Sequence, residues 1–456
     1  MSETSQIWIP EFLNNSKYIK AKDIFETLLL IQKRLSLPDY HFRCDKPLFI
    51  RESWSLKELH TFLNFDIHWE KFLEESERNK LISFINNKYP SIIYKKDFLM
   101  ELVKIIMVNN RDDFSQEALN KGLKDFQITK NLDASYKIEG VGSFRINVSF
   151  SLSNPMIVCR KIDDKSIPAK ELWIPDSVLK WAWKENGLIL FTGPTGAGKS
   201  TSLISFVEYI NQTYSKHIIT IENPIEFYYK DKKSLISQKE VSAWWDVNSF
   251  TDWLKFALRQ DPDIIMVWEM RDAETIELAI QAADTWHLVL ATLHSTSSIK
   301  AIDRICDSFP ANEADKFRAV LSNQLIWIVN QRLIKPKHWN YFTAYEVLNN
   351  DTAVSNIIKE NNLNQIWIYL DQITRWNIPM DLALAEAVSK WYLSLSEAIL
   401  KSPNHNEKAF INKLHNYLNI NYAKNTKLID EKLKEIELKD KEYKINLEKE
   451  KNEWKE

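Results

Sequence analysis

The sequence predicts an α/β domain built on a parallel sheet, preceded by an α+β domain and followed by a charged helical tail. Three observations carry that prediction. Between about 169 and 330, short apolar runs alternate with helical stretches, the order that lays parallel strands between layers of helix. Upstream, Tyr136 to Phe150 reads as a hairpin and Met156 to Ile162 as a further strand. Beyond Asn404 the composition turns to Lys, Glu and Asn. The polar link Asp163-Asp-Lys-Ser-Ile-Pro168 marks a boundary, so the expected divisions are 1–165, 166–400 and 401–456.

The elements follow in order. Ala21 to Leu35 places Ile24, Leu28, Ile31 and Leu35 on one helical face. Tyr40–Arg43 and Leu48–Arg51 read as two strands joined through Lys46-Pro47. Residues 56–105 are expected to be mostly helical, with an insertion near 57–100. The strand Phe144 to Phe150 alternates Phe144, Ile146, Val148 and Phe150 with Arg145, Asn147 and Ser149. The parallel-sheet candidates are Leu188–Phe191, His217–Ile221, Ile264–Val267 and Leu288–Thr292, with helices between them such as Ala273–Ala283. Residues 340–400 read as helical and partly irregular. In the tail, Ile429, Leu433, Ile436, Asp440, Tyr443, Leu447, Glu450 and Trp454 follow a 4-3 spacing. That spacing suits a docking helix or short coiled coil, but two charged seam positions favour a solvated helix.

Composition narrows the function classes. A chain of 456 residues with 45% hydrophobic content has room for two or three domains with real cores. A formal net charge of −2 supplies no general basic field, so nucleic acid is not an expected partner. Cys44, Cys159 and Cys306 lie too far apart in sequence to read as a disulfide framework or zinc cluster, which suits a reducing compartment. No run approaches 18 apolar residues, and Met1 to Pro10 lacks the features of a signal peptide.

The chemistry is concentrated after the strand Leu188–Phe191. Gly193, Pro194, Thr195, Gly196, Ala197, Gly198, Lys199 and Ser200 fit G-x-x-x-x-G-K-[ST] without mismatch, and Thr201 follows. Glycines let the backbone curl so that its amides point at phosphate oxygens, and the helix that follows adds its dipole. Lys199 is expected to reach the β- and γ-phosphates of a nucleoside triphosphate, and Ser200 to hold Mg²⁺. A second strand should supply acid. In Asp261-Pro-Asp-Ile-Ile-Met-Val-Trp-Glu269-Met-Arg-Asp272, Glu269 sits just past the apolar run, at the sheet edge where ligands gather. It is placed to orient or deprotonate water. Glu222, after His217–Ile221, is placed either to touch Mg²⁺ or its waters or to cap a turn. His287 and His294 flank Leu288–Thr292; His294 is a candidate γ-phosphate sensor or an ordinary packed histidine. Arg145, on a polar strand face, reads as an arginine finger toward a neighbouring subunit or as a surface arginine.

Gly193–Leu203, Thr220–Phe227, Ala257–Ile276 and Thr285–Pro310 together resemble the secretion-superfamily ATPases of type IV pili, with the retraction (twitching motility) branch nearest. The likeness covers roughly Asp39 to Ala398. It implies a PAS-like N-terminal domain, a RecA-like ATPase domain and a homohexameric ring. It also implies cytoplasmic ATP hydrolysis that pulls pilin back at an inner-membrane pilus platform. By motif, Glu222 and Glu226 match the family's Asp box, Glu269 its Walker B glutamate and His287 with His294 its His box. Arg145 and Arg160 match arginines that reach the adjacent subunit's nucleotide. The chain departs from the pattern at Asn223, usually Asp, and at Ser143, usually Arg. In Ala353-Val-Ser-Asn-Ile-Ile-Lys-Glu360, two arginines of a retraction-linked motif are gone. The assembly branch usually carries a cysteine zinc motif, which three scattered cysteines cannot build. Type II secretion, DNA uptake and a non-hydrolysing nucleotide-binding subunit are the alternative functions.

Seven glycines and seventeen tryptophans are out of proportion, since average usage of about 7% would give roughly 32 glycines. The family has glycine where this chain has Trp268 and Trp286, and Trp54, Trp173, Trp327 and Trp391 fall at similar positions. Real tryptophans there predict overpacking and an indole crowding Glu269. The alternative is that these codons are UGA and mean glycine in the source organism.

Overall fold

The computed structural model describes residues 21–34, 37–52, 55–59, 94–108, 116–162, 165–241, 250–334, 342–371, 377–403, 406–421 and 426–453. They divide into two compact units. The first is Met1–Lys165 with Glu222–Tyr228 and Glu240–Asn248; the second is Ser166–Ile221, Tyr229–Lys239 and Ser249–Glu456.

The first unit is an antiparallel sheet of β1 Asp39–Arg43, β2 Phe49–Glu52, β3 Ser55–Glu58, β4 Asn131–Ile138, β5 Gly142–Ser151 and β6 Asn154–Lys161. Its strand order is β3-β2-β1-β6-β5-β4. The alternation in β5 has its expected consequence: Phe144, Ile146 and Val148 are buried, while Arg145, Asn147 and Ser149 are not. They share a core with Phe25 and Leu29 of the helix Ala21–Arg34 and Leu102 and Ile106 of the helix Lys96–Val108. One expectation is corrected. Ser55–Glu58 is a strand rather than helix, because it pairs back on β2 with Phe49 opposite Glu58; an edge strand tolerates such charge. Residues 60–93 of the expected insertion lie outside the described residues, as does Trp54.

The sheet of the second unit comprises β7 Gly187–Thr192, β8 His217–Glu222, β9 Leu235–Glu240, β10 Ile264–Val267, β11 Leu288–Leu293, β12 Leu325–Ile334 and β13 Phe342–Asn349. Its order is β13-β12-β7-β11-β10-β8-β9, and β12, β7, β11, β10 and β8 run parallel. The apolar runs of β7, β10 and β11 are wholly buried, as strands covered on both faces must be. The expectation that 340–400 is helical and partly irregular is corrected at β13. Phe342–Leu348 is buried without a break and pairs antiparallel with β12, Ile334 opposite Phe342. Period-two burial was hidden because both faces of this strand are covered.

The tail is also corrected. In the helix Thr426–Glu453, Ile429 and Ile436 are buried in one cluster with Leu384, Val388, Phe410 and Leu414. The charge at seam position 440 has a partner: buried Asp440 accepts hydrogen bonds from the Ser396 amide at 2.8 Å and its hydroxyl at 2.7 Å. A carboxylate at the start of the helix Leu395–Lys401 is favoured by the unpaired amides there. Seam positions Leu447, Glu450 and Trp454 lie outside the described side chains. Among the described residues no helix is long and apolar enough to cross a membrane.

Candidate nucleotide site

Parallel strands bring their C-terminal ends to one edge, and the second unit gathers its polar chemistry there. β7 delivers Gly193, β10 leads to Glu269 and β11 leads to His294. Gly193 holds φ 153°, and a Cβ on it would stand 2.6 Å from the Gln331 carbonyl oxygen. Gly196 and Gly198 are left-handed at 78° and 81°. Gly198 is the residue before the helix Lys199–Thr213, and no side chain caps that helix. Its first-turn amides therefore suit an anion. Pro194, Thr195 and Gly196 are exposed, Ser200 and Thr201 are half-buried, and Ala197 and Lys199 are buried.

Gln331 and Asn330 of β12 back the loop. Gln331 is fully buried and donates from Nε2 to the Ala197 carbonyl at 2.6 Å. Asn330 Nδ2 donates to Thr192 Oγ1 at 2.9 Å and to the Ser295 carbonyl at 3.3 Å. Neither residue stands out in the sequence, because nothing local marks β12 as the neighbour of β7.

Lys199 Nζ donates to the carbonyls of Gly193 and Pro194 at 3.1 and 3.2 Å. It also lies 3.2 Å from His294 Nδ1. His294 Nε2 lies 3.2 Å from Glu269 Oε1, and Arg271 Nε donates to Glu269 Oε2 at 2.6 Å. An ammonium only donates, so His294 Nδ1 accepts and its proton sits on Nε2, facing Glu269. Burial holds the His294 pKa below its ordinary value, Lys199 lowers it further, and Glu269 opposes them; the ring is accordingly neutral. Arg304 donates to the His294 carbonyl at 2.6 Å. Lys199, His294 and Glu269 thus form one connected group. Arg271 and Arg304 were missed from the sequence, although Arg271 lies two residues past Glu269.

The other residues singled out from sequence are not members of that hydrogen-bonded group. His287 Nδ1 lies 3.1 Å from the Ala282 carbonyl, at the end of the helix Ala273–Asp284. Asp272 caps the start of that helix, accepting from the Thr275 amide at 2.8 Å. At the end of β8, where the chain passes into the first unit, buried Glu222 accepts from the Glu226 amide at 3.3 Å. There Arg145 donates to Glu226 at 2.8 Å, and Arg160 to Asp39 at 2.7 Å. As a finger, Arg145 would first have to leave Glu226. Among the described residues no three His, Cys, Asp or Glu side chains gather as a metal cage. A magnesium ion bound with a nucleotide does not require one, since phosphates and water fill most of its positions.

Trp268, 7% exposed, extends the edge of β10: its amide donates to the Ile221 carbonyl at 2.9 Å and its carbonyl accepts from Thr292 Oγ1. Trp327 is fully buried. Trp173, Trp286 and Trp391 hold left-handed backbone at φ 62°, 68° and 65°.

Residues 72–365 match the family model described as type II/IV secretion system protein. A twitching motility protein of Neisseria gonorrhoeae is 44% identical over 244 residues, 53% of this chain and 65% of that protein. A type IV pilus retraction ATPase, PilT, of Pseudomonas aeruginosa is 40% identical over 282 residues, 61% of this chain and 81% of that one. A crystal structure of the pilus retraction motor PilT with bound ADP aligns with a TM-score of 0.65 at 33% identity, covering 85% of this chain and 98% of that one.

Proposed function

The chain belongs to the type II/IV secretion system protein family, and from that premise we propose that it is an ATP-hydrolysing motor driving type IV pilus retraction. The observation that carries the reading is the connected group Lys199–His294–Glu269 beside an uncapped, glycine-rich helix start. The similarity to twitching motility proteins supports retraction over the other secretion roles. We assign the motor to a homohexamer working on the cytoplasmic side of the inner membrane against the pilus platform.

The geometry suggests how hydrolysis proceeds. The loop amides and Lys199 take the phosphates, and Lys199 exchanges the carbonyls of Gly193 and Pro194 for phosphate oxygens. Ser200 would hold Mg²⁺, which neutralises phosphate charge when bound. Glu269, held at one oxygen by His294 and at the other by Arg271, orients the attacking water and accepts its proton. Once Lys199 moves to phosphate, His294 Nδ1 is released while its Nε2–H goes on donating to the Glu269 carboxylate.

Trp268 beside Glu269 favours one second reading, a nucleotide-binding subunit that hydrolyses poorly. ATP turnover by the purified hexamer separates the two. The motor reading expects turnover that Lys199→Ala and Glu269→Gln abolish. A chain with glycine at the suspect sites that turns over ATP no faster than its Lys199→Ala variant would sink it.

A further inference from the structure

Three tryptophans occupy backbone that suits glycine, and two of them close the same hydrogen-bond pattern. The Trp391 amide donates to the Val388 carbonyl at 3.1 Å and the Tyr392 amide to Ala387 at 2.9 Å. The Trp173 amide donates to Lys170 at 3.2 Å and the Ile174 amide to Ala169 at 3.1 Å. This paired ending of a helical turn requires a left-handed residue at its second-last position, where glycine is usual and asparagine next. The same pattern recurs with Asn361, at φ 60°, whose amide donates to Ile358 while Asn362 donates to Ile357. Trp286 comes directly after the capping residue Thr285 of the helix Ala273–Asp284. It is 77% exposed, so no core packing holds it left-handed. Six of the seven glycines hold positive φ themselves. A bulky residue there is an outlier.

We propose that the organism's own protein carries glycine at positions 173, 286 and 391, because its UGA codons are decoded as glycine. One cause then accounts for three strained turns and for the inverted glycine and tryptophan counts. The same decoding places glycine at 268, directly before Glu269, and removes an indole from the catalytic edge of the sheet. None of this depends on the ATPase reading. The test is to purify the protein from its source cells and weigh the proteolytic peptides spanning the three positions, with the codons read in parallel. Glycine masses and TGA codons at all three are expected. A tryptophan mass or a TGG codon at any of them overturns the proposal.

A different observation assigns a positioning role to Gln331, and this second inference rests on the nucleotide reading. Its backbone carbonyl bounds Gly193 and its side-chain amide holds the Ala197 carbonyl, so one residue braces the phosphate loop at two points. Gln331→Met keeps the volume and removes the donor. In the full chain, we expect ADP to bind about 10-fold more weakly, with kcat changed less than KM and the unfolding midpoint retained. Gln331→Ala should behave alike if it folds. ADP binding by Gln331→Met within twofold of the parent overturns the role. If Lys199→Ala also leaves ADP binding unchanged, the nucleotide reading itself has failed.

Discussion

In the phosphate loop, left-handed backbone falls to Gly196 and Gly198; at three turns elsewhere in the same unit it falls to Trp173, Trp286 and Trp391. The two regions need glycine for different reasons. In the loop the missing side chain itself matters. A Cβ on Gly196 would enter open space where a ligand must reach the backbone, and one on Gly193 would strike the Gln331 carbonyl. At the turns a side chain has room, and the cost is torsional, about 1–2 kcal/mol for an L-residue in this region. Substitution in the loop should therefore damage binding, whereas substitution at the turns should alter stability and leave the chemistry alone.

The largest effect that would break this contrast is at Gly193. Gly193→Ala places a methyl carbon 2.6 Å from a backbone oxygen that cannot swing aside. Displacing the loop by even about 1 Å should lower kcat/KM by roughly 100-fold, read in ATP turnover with the fold retained by circular dichroism. Helix ends outside the loop should answer in stability alone. Asp440→Ala leaves the Ser396 amide and hydroxyl without their carboxylate. The expected loss is about 1–2 kcal/mol in denaturant unfolding, with ATP turnover unaltered.

A smaller effect, with opposite sign, sharpens the contrast. Trp286→Gly should stabilise the chain by about 1 kcal/mol, since strain is relieved and little packing is lost. Trp391→Gly should gain less. Lys439 and Lys432 lie 3.7 and 4.6 Å from the centre of its ring, and such contacts offset roughly 0.5–1 kcal/mol each. Trp173 also has compensation, packing on Phe342 and Tyr392. Equal gains at all three positions would show that these ring contacts do not offset the backbone strain the three share.

Much of the fold and site was legible where a local pattern has one physical meaning. The phosphate loop was readable because few backbones other than an anion cradle need that glycine spacing. Glu269 was readable because it follows an apolar run short enough to be a buried strand. What escaped depends on distant pairing. β13 looked irregular because both its faces are covered, so no alternation marked it. Gln331 acts on the loop across a strand pair separated by more than a hundred residues, and the sequence does not say that β12 lies beside β7. Asp440 looked like a flaw in an apolar seam; its partner, Ser396, lies on a different helix. For Arg145, a finger or a surface arginine by sequence, the carboxylate that holds it, Glu226, cannot be seen from its own strand.

The smallest effect concerns His294, the residue through which the loop lysine meets Glu269. Burial and then Lys199 depress its pKa below the ordinary 6.5. The unfolded chain therefore takes up the proton at a higher pH than the folded one does. Between those two values the unfolded state binds more protons, so stability falls as pH drops below about 6.5 and levels off only beneath the folded pKa. Above pH 7 both states are neutral and the contribution is flat. His41 is depressed in the same direction, so a pH profile of the parent alone would mix the two. Comparing the parent with His294→Gln isolates one of them: the variant should lose less stability between pH 7 and 5, by denaturant unfolding. Bound ADP should shrink the difference as well, because a lysine drawn onto phosphate no longer opposes a proton on the ring. Identical profiles for parent and variant would mean that His294 is neither buried nor beside Lys199 in solution, and that the loop and Glu269 are not connected through it.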